Sequence, residues 1–74
     1  MKIKHEDKKV EQWVNAAIAH ADRQLGPAVA LVTKDVREGL AARHLIAVFA
    51  AQEVVNGARF VTACDALMAA FAQS

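Results

Sequence analysis

The chain has 74 residues, with nine basic against eight acidic side chains, three histidines and a hydrophobic share of 55%. A polypeptide of this length forms one domain and buries only about 60% of the surface that its unfolded form exposes, so it has little material for a large core. The near-balance of charge provides no whole-molecule field toward nucleic acid or an anionic membrane surface, and the single cysteine, Cys64, excludes an internal disulfide and suits a reducing compartment.

The opening run Met1-Lys2-Ile3-Lys4-His5-Glu6-Asp7 is charged and lacks the apolar core of a signal peptide. No stretch approaches the roughly 18 uninterrupted apolar residues of a membrane span, so no membrane partner is expected and the cytoplasm is the expected location. Residues 1–5 read as a flexible basic lead-in to a single helical domain that takes up the rest of the chain.

Asp7 is placed to cap a helix, because a short acceptor side chain satisfies the free N–H groups of a first turn. Beyond it Val10, Trp13, Val14, Ala17, Ile18, Ala21 and Leu25 recur at steps of three and four, the spacing of an amphipathic helix. Lys8, Glu11, Gln12, Asn15, Asp22 and Arg23 occupy its other side. Gly26 ends it, since glycine accepts the left-handed backbone of a helix stop, and Pro27 suits the first turn of the next helix.

Val29, Val32, Val36 and Leu40 then share one phase, followed by Ala47, Ala50, Ala51 and Val54. Two readings are open: one long helix from Pro27 to Val55, or a break between Thr33 and Gly39. Asp35 and Glu38, three residues apart, have the form of a capping box with an acidic cap, and Gly39 weakens a helix interior by about 1 kcal/mol relative to alanine. Asn56-Gly57 closes the segment. As a hairpin turn the same dipeptide would join strands 45–55 and 59–62, but the alternation that half-buried strands require is missing. A last helical stripe follows in Phe60, Cys64, Leu67, Met68 and Phe71, with Arg59, Thr62, Asp65, Ala66, Ala69 and Ala70 opposite it.

The middle segment is the unusual one. Leu45-Ile46-Ala47-Val48-Phe49-Ala50-Ala51 is apolar without interruption and points in all directions around a helix axis. Val36, Leu40, Ala47 and Val54 line one side and Leu45 and Phe49 the other, with Ile46 and Val48 between them. Arg37, Glu38, Arg43, His44, Gln52 and Glu53 are scattered around the circumference. Two neighbouring helices cover about half of such a rod, and the remainder is larger than the apolar patch a soluble monomer usually leaves exposed. A twofold dimer places the same face against itself, so a homodimer is expected, with Leu45, Ile46, Val48, Phe49 and Gln52 at the interface. The alternatives are a monomer whose terminal helices wrap the middle one more fully, and a helical hetero-partner on the same face.

Candidate chemistry is sparse. Cys64 lies on an apolar stripe with no base linked to it by any signature, which suits a core thiol. His5, His20 and His44 lack the spacings of a metal site, and no glycine-rich phosphate loop or paired carboxylates are present. No catalytic, cofactor-binding or metal-ligating residue is therefore assigned, and no enzymatic activity is expected. Arg43 is the one candidate ligand or ion-pair residue, because it falls on the Val36, Leu40, Ala47 stripe, where a buried cation would require an anion.

The resulting expectation is an all-α bundle of three or four helices whose middle helix is long or bent, working as a small cytoplasmic accessory or adaptor module through self-association. A helical DNA-binding regulator is the alternative. It is disfavoured because Leu40-Ala41-Ala42-Arg43-His44-Leu45 is poor in the polar side chains that read base edges, and because Lys2, Lys4, Lys8 and Lys9 are diluted by Glu6, Asp7 and Glu11.

Overall fold

A computed structural model describes residues 1–52 and 57–73. Three helices account for most of it: α1 (Lys8–Leu25), α2 (Lys34–Ala50) and α3 (Gly57–Ala72), with a 3-10 turn over Gly26–Ala30 between the first two. They pack as an all-α bundle. The segments suggested as a hairpin are helical over residues 45–50 and 59–62, with a turn at Ala51.

Helix α1 begins where its cap predicts. The Asp7 carboxylate accepts from the backbone N–H groups of Lys9 at 3.0 Å and Val10 at 3.4 Å, satisfying donors that the first turn leaves unpaired. The helix stops at Gly26, whose φ of 57° lies in the left-handed region. Pro27 opens the 3-10 turn rather than a continuous second helix.

The single-helix reading from Pro27 to Val55 is therefore corrected. The break falls at Leu31 and Val32, and α2 starts after Thr33, with Asp35 inside its first turn instead of at its cap. At its far end α2 closes at Ala50 and Ala51, before the expected stop, and Gly57 begins α3 instead of ending α2. The expectations for Glu53, Val54, Val55 and Asn56 lie outside the described residues.

The core is formed by Val10, Val14, Ala17, Ile18 and Ala21 of α1, Ala41, Leu45 and Phe49 of α2, and Ala63, Leu67 and Phe71 of α3. Each set repeats at three or four residues, the period that keeps side chains on one helix face. Three aromatic rings join the helices at one end: Trp13 meets Phe49 edge-on at 4.7 Å between centroids, and Phe49 meets Phe60 edge-on at 5.1 Å. These contacts, with Asp22 against Arg37 and Asp7 against Arg59, show α2 antiparallel to both α1 and α3, and α1 parallel to α3.

The lead-in is anchored to α1 rather than free. The Ile3 N–H donates to Asn15 Oδ1 at 2.8 Å while Asn15 Nδ2 donates back to the Ile3 carbonyl at 3.1 Å, and the His5 N–H donates to Glu11 Oε1 at 2.8 Å. The Ile3 side chain packs against the core. No described helix is long and apolar enough to cross a membrane.

Candidate functional site

Helix α2 shows only one face to the core. Placing Ala41, Leu45 and Phe49 inward turns Val36, Gly39, Arg43, Ala47 and Ala50 outward, all of them exposed. Of the Val36, Leu40, Ala47 stripe, read from sequence as buried, Val36 and Ala47 are thus on the outer side of the helix, while Leu40 is partly buried against the core. Arg43 is exposed with Val36 and Ala47, so no buried carboxylate is needed to offset its charge.

Of the five expected interface residues, Leu45 and Phe49 are corrected: they are 1% and 3% exposed inside the chain's own core and have no surface to offer a partner. Val48 and Gln52 are half-buried. Ile46 alone faces outward to a large extent, at 53% exposure. The reason is the position of the neighbours. With α1 on one flank of α2 and α3 on the other, the strip between them carries the largest side chains, and Ile46 is displaced about 100° from Leu45 toward the α3 flank.

On α3 the expected stripe is shifted in the same way. Ala63, Leu67 and Phe71 are buried, Phe60 and Cys64 are partly buried, and Met68 is 58% exposed. Val61, 57% exposed, shares the Met68 flank. The opposite flank of α3, with Ala66, Ala69, Ala70 and Gln73, borders the lead-in residues Met1 to His5. Met68 instead borders Lys34, Asp35 and Glu38 of α2. At about 100° per residue Val61 shares the Met68 flank of α3, and Ile46 lies on the flank of α2 away from His44, so helical geometry puts the three on the flanks where α2 and α3 adjoin.

A second, polar feature lies across α2 from this seam. The imidazoles of His20 on α1 and His44 on α2 stack with centroids 4.1 Å apart and planes 20° from parallel. They share a cavity of about 260 Å³ with Gln24, Leu40, Arg43 and Ala47. Burial, then the nearby His20 and Arg23, hold the His44 pKa below the ordinary imidazole value. Two turns earlier on α2 Arg37 grips Asp22 through two hydrogen bonds of 3.1 and 3.2 Å, and its guanidinium lies 5.7 Å over the Phe71 ring. Sequence spacing could not find the histidine pair, because its members are on different helices. Antiparallel register was the missing signal: in order along the helix pair, Asp22 faces Arg37, His20 faces His44 and Trp13 faces Phe49.

Asp7, Glu11 and Cys64 are also shifted by their neighbours in the fold. Arg59 Nε donates to Asp7 Oδ2 at 3.0 Å and, with the capping amides, holds that carboxylate below its usual pKa. Glu11 is lowered chiefly by the His5 N–H. Burial, then Asp65, push the Cys64 thiol up, which keeps it protonated and poorly nucleophilic at neutral pH. Among the described residues no group of three or more histidine, cysteine or acidic side chains is placed to hold a metal ion. The stacked imidazoles present ring faces to each other rather than converging lone pairs.

No protein-family model, curated protein or solved structure matches this chain.

Proposed function

We propose that this protein is a small interaction module that pairs with a second copy of itself along the α2–α3 seam, by association and without catalysis, in a reducing cytoplasmic setting. The observation that carries this reading is the concentration of Ile46, Val61 and Met68, each more than half exposed, on adjoining flanks of two antiparallel helices. Large apolar side chains grouped in this way lose favourable free energy in water, at about 25 cal/mol for each Å² left uncovered.

The total surface supports the same reading. A monomer of 8.0 kDa has an expected accessible surface of about 4,450 Å², whereas this chain exposes 4892 Å². A second copy is the simplest occupant. A twofold axis sets each seam against its equivalent and assembles four helices from two hairpins, the arrangement in which antiparallel helices pack best. The near-neutral charge leaves no strong repulsion between copies.

Light scattering on the purified chain and on its Ile46→Asp variant tests this. The native protein is expected at twice the chain mass with little dependence on salt. The variant is expected at single-chain mass with its helical circular dichroism retained, because Ile46 is outside the core. A native protein of single-chain mass at high concentration, or a variant that still dimerises, overturns the reading. Heparin retention that falls steeply with salt would instead point to a nucleic-acid binder.

A further inference from the structure

We propose that the His20–His44 cavity is a proton-coupled binding site for a small tetrahedral oxyanion of the phosphate or sulfate type. The proposal is independent of dimerisation and rests on different residues. Residues of two helices line this cavity, and four of them carry donor groups: His20, Gln24, Arg43 and His44, with Leu40 and Ala47 as its apolar lining. No carboxylate is among its lining residues. The adjacent acid on α1, Asp22, is taken up by the two-pronged Arg37 bridge. The acids Asp35 and Glu38 of α2 border α3 on the other side of the helix.

Among the described residues, burial and then two neighbours disfavour the charged form of His44. Those neighbours are His20 and Arg23, both on α1. Two imidazoles stacked at 4.1 Å cannot both take a proton cheaply beside arginines unless an anion neutralises them. The sign follows directly. His44 has a depressed pKa when the chain is folded, so the stability tied to its neutral form is complete above the ordinary imidazole range and is lost as pH falls through the depressed value. A bound dianion reverses this by favouring the protonated pair, and by reciprocity protonation tightens the anion. A tetrahedral oxyanion accepts from several directions at once, which matches donors arriving from both helices.

Sulfate is the suitable probe because it keeps its two charges between pH 6 and pH 8. Histidine ring signals followed by NMR are expected to move with saturation at His20 and His44 as sulfate is added, while His5, on the lead-in, stays still. Affinity is expected to be at least fivefold higher at pH 6 than at pH 8, and the titration midpoint of His44 to rise in saturating sulfate. Arg43→Gln, an exposed change that leaves the core untouched, should weaken binding at pH 6 by threefold or more. Equal movement of all three histidines without saturation overturns the proposal. So does equal affinity at the two pH values, an unmoved His44 midpoint, or full affinity in the Arg43→Gln protein.

Discussion

At the scale of single residues, the aromatic end of the bundle does the most joining. Phe49 is 3% exposed and touches Trp13 on one side and Phe60 on the other, so one ring from each helix meets at one point. Such edge-on contacts add about 0.5–1.5 kcal/mol beyond burial. Trp13 also lies 5.9 Å beneath the Arg59 guanidinium, which ties the start of α1 to the start of α3 together with the Asp7–Arg59 bridge. Trp13→Ala is accordingly expected to lower stability by about 3 kcal/mol, the low end for a large aromatic because the indole is only half-buried. Urea unfolding followed by circular dichroism measures this, and a loss below about 1 kcal/mol would show the indole to be a surface group. Both Trp13 and the capping role of Asp7 were legible in the sequence, since each rests on spacing within one turn of α1. The histidine pair was not, since it depends on the register between helices.

At the scale of elements, α1 and α2 contrast in how much direction their sequences carry. Apolar residues in α1 cluster on one side, so its buried face was readable before any neighbour was known. In α2 they are spread around the axis, and nothing local selects Ala41, Leu45 and Phe49 over Val36, Leu40 and Ala47. The joint between the two helices is set by backbone geometry: Gly26 has φ 57° and ψ −133°, a conformation that a Cβ atom strains. An alanine Cβ there would meet no neighbouring atom within 4 Å, so strain acts without any steric clash. Gly26→Ala is therefore expected to lower stability by about 1–3 kcal/mol. A neutral or stabilising result in thermal unfolding would show that the turn relaxes to another conformation.

At the scale of the whole molecule, the chain is a slab of 37 × 24 × 16 Å with a radius of gyration of 11.9 Å. A compact chain of this length is expected near 11.3 Å, about 5% smaller. The pairing proposed along Ile46, Val61 and Met68 would make stability depend on concentration, because mass action favours a folded dimer. A tenfold rise in protein concentration shifts the folding equilibrium by about 1.4 kcal/mol per dimer, which raises Tm by about 4 °C. A Tm that does not change over that range would remove the dimer from the account. Phe49→Asp would not serve here, since a carboxylate in the core unfolds the chain whether or not it dimerises.

The amino-acid order by itself determined the all-α class, the extent and buried face of α1 and its Asp7 and Gly26 boundaries. All of these depend on interactions within a few residues or on composition. Tertiary structure alone decided which side of α2 is core, which left Ile46 rather than Leu45 or Phe49 at the surface, and it alone brought His20 to His44. A helix that is apolar all round carries no direction of its own, and its inner side is chosen by where its neighbours pack.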